Sequence, residues 1–268
     1  MTKTIINGDP AGVIDISDRG LNYGDGFFTT AKVCARQIEL WPLHQQRLAS
    51  CAKRLGFGEL DFCALDKDIN QLLEGDTTQH SVLKVMYTRG NGGRGYTPPS
   101  DAQPTRVVRL LPYPESYHEI GKVGVTLSVA KTRLAQQPLL AGLKTLNRLE
   151  QVFIKQEAAQ QSSDDLLVLD TTDNVIETSS ANLVMYHQGQ WFTPELTQAG
   201  IQGVYLSHLQ HRLAITSCKL SLAQLFTMEA VFCCNSLMGL VPVTRIAHHS
   251  YNLDISQSLM AKYGISVC

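Results

Sequence analysis

Apolar positions along this chain switch repeatedly between a period of two and a period of three to four. "TKTIING" and "AKVCARQIEL" read as strands, the second with Val33 and Ile38 among its apolar positions. "LWPLHQQRLASCAKRLGF" places Leu43, Arg47, Leu48, Cys51 and Leu55 at helical spacing, and a second helix is expected at 61–74. "SVLKVMYTRG" and "PTRVVRLLPYP" are strand-like, the first running into a glycine-rich loop. Farther on, "VGVTLSVAKT" predicts a strand and 146–161 a helix, with Asn147 and Glu150 spaced as a cap and its partner three residues on. "DDLLVLDTTDNVIETSSANLVMYHQGQWFTP" reads as successive strands turning at Asp173-Asn174. A helix near 203–215, strands at "CKLSLA" and "AVFCCNS", and a last helix near 254–263 finish the pattern.

Strands and helices in both halves predict an α/β (α+β) protein of two domains with a crevice suited to a small molecule. Pro112 and Pro114, followed by the polar "ESYHEIGK", mark the expected linker at 112–121, dividing a smaller N-terminal domain (1–111) from a larger one (122–268). The chain has 268 residues, 44% hydrophobic and 18% charged, as expected of an ordinary globular protein. A formal net charge of −1 supplies no basic field, so nucleic acid is a poor partner. No apolar run approaches the ~18 residues of a membrane span and the N-terminus has no signal-peptide core, which points to the cytoplasm. Seven cysteines without a CxxC pair read as free thiols, and eight scattered histidines without HExxH or CxxH spacing predict no metal site.

Four features carry candidate chemistry. Lys144 stands between Leu143 and Leu146 in "AGLKTLNRLEQVFI", where an amine either reaches out to water or loses charge as a nucleophile. Glu177 in "VIETSSANLVMY" is either a solvated strand position or an acid able to hold a protonated ring nitrogen. "AGIQGVYLSH" leads a glycine into a helix start, a geometry that either caps the helix or receives a phosphate, and Asn235-Ser236 either adds donors there or starts a turn. "TRGNGGRGY" carries Arg89 and Arg94 among four glycines; it lacks the GK[ST] of a P-loop, and its guanidiniums suit a substrate carboxylate if it is not simply a flexible hairpin.

Taken in order, "HQQRLASCAKRL", "AGLKTLNRLEQV", "ETSSANL", "GIQGVYL" and "CNSLMGLVPV" resemble the fold type IV family of pyridoxal-phosphate enzymes, which includes branched-chain and D-amino acid aminotransferases. The resemblance spans essentially the whole chain. "NYGDGFFTTAKV", "RGNGGRGY" and "LKTLNRLEQV" point to its lyase branch, with transamination as the alternative and a non-catalytic phosphate-binding module as an alternative of another class. By that resemblance the cofactor is pyridoxal 5′-phosphate, Lys144 is the lysine that carries it, Glu177 partners its ring nitrogen, and Arg47, the backbone of Val204 and Tyr205, and Asn235 or Ser236 hold its phosphate. Thr30, Arg89, Arg94 and Tyr96 are implied on the substrate side, some of them acting across a homodimer. The chain departs from the family in having Leu206, where relatives often carry arginine after the phosphate-binding pair; backbone contacts there do not depend on the side chain.

Overall fold

The computed structural model describes residues 3–265. The chain divides into two compact units, one running to Pro114 and including Leu143–Asn147, the other formed by Glu115–Gly142 and the chain from Arg148 onward. The first contains β1 (Lys3–Ile6), α1 (Arg19–Tyr23), β2 (Gly26–Cys34), β3 (Gln37–Ile38), α2 (Trp41–Leu55), α3 (Phe62–Glu74), β4 (His80–Thr88) and β5 (Thr105–Pro112). Its strands form one antiparallel sheet in the order β1-β5-β4-β2-β3.

Side chains alternate across a strand, so each strand of this sheet divides its residues between two environments. Ile5, Phe27, Ala31, Val33, Leu83, Val85, Val108 and Leu110 are buried with Leu48 and Cys51 of α2 and Leu65, Ile69 and Leu72 of α3. The opposite face places Thr30, Lys84 and Arg109 side by side, through the register Thr30↔Lys84 and Lys84↔Arg109.

The second unit contains α4 (Ser116–Val123), β6 (Val125–Val129), α5 (Leu149–Ala158), β7 (Asp165–Leu169), β8 (Val175–Thr178), β9 (Asn182–His187), β10 (Gln190–Pro194), α6 (Val204–Arg212), β11 (Ile215–Cys218), α7 (Leu222–Leu225), β12 (Ala230–Asn235), β13 (Gly239–Ile246), β14 (His249–Ser250) and α8 (Leu253–Lys262). Its strands run β11-β10-β9-β12-β13-β6-β7-β8, and β8 pairs back onto β9 through Glu177↔Asn182. That pairing closes β9, β12, β13, β6, β7 and β8 into a ring, which removes their free edges. Strands buried on both faces explain the continuous apolar runs. Leu183, Met185, Val231 and Cys233 join one core cluster, while their neighbours Val184, Phe232 and Cys234 pack with Leu206 and Leu209 of α6 and Leu259 and Met260 of α8. Among the described residues no helix is long and apolar enough to cross a membrane.

Several local expectations are corrected. "AKVCARQIEL" is a hairpin, because Ala35 and Arg36 take positive φ (48° and 64°) and turn β2 into β3. Residues 116–123 form α4 where a linker was expected; the two prolines lie just outside it and terminate β5. Asn147 does not cap α5. Its amide donates to Gly24 O (3.1 Å), Glu150 accepts from Ala135 N (2.7 Å), and Arg148 occupies the cap position. At "CKLSLA" the strand ends at Cys218 and a Ser221–Gln224 capping box starts α7. Elements α1, β13 and β14 add to the expected pattern, while Thr2 of "TKTIING" lies outside the described residues.

Candidate active site

Lys144 belongs to the first unit, in contrast to the C-terminal domain expected from its place in the chain. Its segment pairs with the start of β2: Phe28 N donates to Lys144 O (2.9 Å) and Leu146 N to Gly26 O (2.9 Å). Leu143, 3% exposed, is anchored in the apolar core, and its burial stabilises the attachment by about 2 kcal/mol. The half-buried Lys144 places its amine 4.8 Å from the centre of the Phe28 ring. On α2, the Cys51 thiol hydrogen-bonds the Lys144 backbone, and Arg47 lies one turn earlier. Burial pushes Arg47 down to about 10, which still leaves it cationic at neutral pH.

Two features of this half escaped the sequence reading. His44, one turn before Arg47, is wholly buried; its Nδ1 lies 2.6 Å from Thr29 Oγ1, and its Nε2 has no hydrogen-bond partner among the described residues. Burial, seconded by the Arg47 charge, pushes it down to about 3, so it is neutral. Lys84 lies 5.0 Å from the Phe28 ring, its pKa lowered by burial and then by Arg109. Strand periodicity in β2, β4 and β5 could have placed Thr30, Lys84 and Arg109 on one face.

The second unit holds the acid. Glu177 is 5% exposed and accepts from Ile201 N (3.0 Å), while Asn182, its partner in the pairing that closes the ring, donates to Ile201 O (2.8 Å). Ile201 is therefore held by both its N–H and its C=O just ahead of α6. A Cβ on Gly203 would stand 1.9 Å from Asn182 Oδ1, so close packing requires glycine at this helix cap. Val204 and Tyr205 supply the first N–H groups of α6, which have no acceptor within the helix and favour an anion. Leu206 is fully buried in the core, which explains the absence of a charged side chain there.

Asn235 does not present a free amide. Its Oδ1 accepts from Leu237 N (2.9 Å) and Met238 N (3.0 Å), and its Nδ2 donates to Ser180 O (3.3 Å), so its side chain builds the β12–β13 turn. Ser236 remains as the side-chain candidate beside it.

Arg89 leaves the substrate-side set. It is 8% exposed, grips Asp25 through Nε (2.8 Å) and Nη2 (3.0 Å), donates to Leu55 O (2.8 Å) and Gly56 O (3.0 Å) at the end of α2, and stacks on Phe57. Arg94 and Tyr96 are exposed on the same loop, where Tyr96 meets Tyr23 edge-on at 5.4 Å. The structure thus groups Lys144, Arg47 and the Thr30–Lys84 face in one unit, and Glu177 with the α6 start in the other; Arg94 and Tyr96 lie on a separate loop.

The chain matches the amino-transferase class IV family model over residues 26–246 and belongs to that family, with the fold type IV architecture of pyridoxal-phosphate enzymes. An aminodeoxychorismate lyase from Vibrio harveyi is 34% identical, covering 93% of each chain. The crystal structure of 4-amino-4-deoxychorismate lyase from Pseudomonas aeruginosa superposes with a TM-score of 0.87 at 36% identity, covering 97% of each chain. A D-alanine aminotransferase from Bacillus licheniformis is 24% identical over 87% of this chain and 83% of its own.

The cofactor is pyridoxal 5′-phosphate. Its chemical demands fit the residues present: a half-buried amine, a buried carboxylate fixed by a backbone N–H, a cation, and a helix start cleared by glycine. Gly203→Ala is expected to break the Asn182–Ile201 bond and weaken cofactor binding roughly tenfold, the size of one lost buried hydrogen bond. Cofactor titration followed by visible absorbance checks this, and unchanged affinity would deny the cradle.

His44 predicts an acid sensitivity. Its folded pKa of about 3 lies below the unfolded value of about 6.5, so its contribution is fully present above pH ~6.5 and is lost as pH falls toward ~3. Between pH 7 and 4.5 the wild type should lose about 2–3 kcal/mol more stability than His44→Asn. Urea unfolding at both pH values measures it; parallel losses would show that His44 is not held neutral.

Proposed function

We propose that this protein is a pyridoxal-phosphate-dependent carbon–oxygen lyase that converts 4-amino-4-deoxychorismate to 4-aminobenzoate and pyruvate, a step in folate synthesis. The observation that carries the reading is full-length identity of 34% and 36% to two lyases, against 24% to the aminotransferase above. When bound, the cofactor supplies a carbonyl that condenses with amines and a ring that accepts electron density from the carbon bearing the amine. Arg47 would hold its phosphate from the first unit, and the N–H groups of Val204 and Tyr205 with Ser236 would do so from the second. Glu177 would keep the ring nitrogen protonated, and Lys144 would anchor the group.

The Lys144 amine removes the proton from C4 of the substrate as general base. Breaking the C3–oxygen bond then expels the enolpyruvyl group, which takes up a proton and leaves as pyruvate, while the ring becomes aromatic. Thr30, Lys84, Arg94 and Tyr96 bind the two carboxylates and the ring, with Lys84 and Arg109 supplying charge from their shared sheet face. To test this, 4-aminobenzoate fluorescence and pyruvate release are followed with aminodeoxychorismate as substrate. The lyase reading expects both; amino transfer from D-alanine or a branched-chain amino acid with neither product would replace it.

The reading includes a homodimer and a cytoplasmic location. Exposed Leu149 (71%), Val152 (48%) and Phe153 (56%) on α5 support the former, because apolar side chains grouped on one helix are often covered by a partner. Light scattering is expected to give twice the 29.6 kDa chain mass; a monomeric mass would oppose it. Buried free thiols at Cys51, Cys233 and Cys234 suit a reducing compartment.

A further inference from the structure

Arg19 is 3% exposed although it belongs to a short helix at the surface. Its backbone N donates to Gly90 O (2.9 Å), at the start of the glycine-rich loop. Its guanidinium reaches the other end, where Nη1 donates to Gly95 O (3.1 Å) and Thr97 O (3.4 Å) and Nη2 to Tyr96 O (2.8 Å). The remaining nitrogen, Nε, donates to Asp25 Oδ2 (2.9 Å), which Arg89 also grips at 2.8 Å. Burial opposes ionisation of Asp25, but Arg89 and Arg19 hold its carboxyl below its usual range.

One buried residue thus fastens both ends of a loop whose glycines at 90, 92, 93 and 95 all take positive φ. Without external bonds such a stretch would sample many conformations. Arg94 projects from it exposed. The same Asp25 is tied through Arg89 to the C-terminal carbonyls of α2, the helix that carries Arg47.

We propose that Arg19, oriented by Asp25, is a positioning residue that fixes the 90–97 loop so that Arg94 meets a substrate carboxylate. The inference rests on the lyase reading of the site. Arginine is required because a planar fork can serve one carboxylate and three carbonyls together, whereas a lysine ammonium is a point donor. Holding a binding group in place lowers the entropy lost on association, so its release falls on KM more than on the bond-breaking step.

Arg19→Lys in the cofactor-loaded enzyme is expected to raise KM about tenfold while kcat changes by less than about threefold. In an Arg94→Ala background the same change should leave KM unaltered, since the residue it positions is gone. Limited trypsinolysis gives a second readout, with cleavage at Arg94–Gly95 expected roughly tenfold faster in Arg19→Lys than in wild type. Equal cleavage rates would overturn the clamp, and an equal KM increase in the Arg94→Ala background would overturn its action through Arg94. An unchanged KM in Arg94→Ala alone would remove the loop from carboxylate binding and overturn the proposal's functional half, while product formation continued to support the lyase reading. If Arg19→Lys does not fold, the near-isosteric Asp25→Asn takes its place, with the same shifts expected and the same results overturning the proposal.

Discussion

Lys144→Ala is expected to abolish turnover, by roughly 10⁴-fold or more, because the group that anchors the cofactor also acts as the base. The fold should survive. The segment is fixed by backbone bonds to Gly26 and Phe28 and by Leu143 in the core, none of which involves the lysine side chain. Circular dichroism and the thermal midpoint should remain near wild type, while borohydride reduction no longer fixes pyridoxal to the chain. The wild type should be yellow and become labelled at Lys144 under the same treatment. A colourless wild type that the cofactor cannot reconstitute would instead leave the non-catalytic phosphate-binding alternative.

The second large effect is expected at Glu177. Glu177→Gln keeps the shape and an oxygen able to accept from Ile201 N, but it removes the negative charge proposed to hold a proton on the ring nitrogen. The chain should fold and load cofactor, while kcat falls by about 10²–10⁴ because the electron-accepting ring is weakened at the step where charge develops. Steady-state kinetics together with cofactor stoichiometry separates these outcomes. Loss of cofactor with normal turnover per loaded site would assign Glu177 to binding alone. Normal kcat at full loading would deny it the proposed role.

How legible the site was depends on how local its determinants are. Lys144 and Glu177 stand in short motifs that resemble a family, so roles for them could be proposed from the chain. Their supports could not. Lys144 is positioned by pairing with Gly26 and Phe28, more than a hundred residues away, and Glu177 by closure of a ring of strands against Asn182. Tertiary pairing of this kind leaves no periodic trace.

Arg89 shows the opposite difficulty. In the sequence it is a cation in a glycine-rich stretch, indistinguishable from Arg94. In the fold, Asp25, 64 positions earlier, and the end of α2 draw it inside, and only Arg94 remains exposed. Asn235 likewise read as a phosphate donor or as the start of a turn, and its bonds to Leu237 and Met238 decide for the turn. Arg19 carries no signal in the sequence, because "DRGLNYG" has no periodicity and its guanidinium meets backbone carbonyls 76 to 78 residues away.

Helices α2 and α3 and the strands β9 and β12 were legible because their apolar spacing reports burial directly. The hairpin at Ala35-Arg36 was not, since neither residue signals the positive φ it adopts.

Turnover in the absence of any oxo-acid acceptor separates elimination from amino transfer. Cofactor-loaded protein is mixed with a large excess of 4-amino-4-deoxychorismate and nothing else. A lyase regenerates its starting state after each cycle, so many equivalents of 4-aminobenzoate per site are expected, matched one to one by pyruvate. A single equivalent of amino group retained on the cofactor, with no 4-aminobenzoate formed, would contradict it.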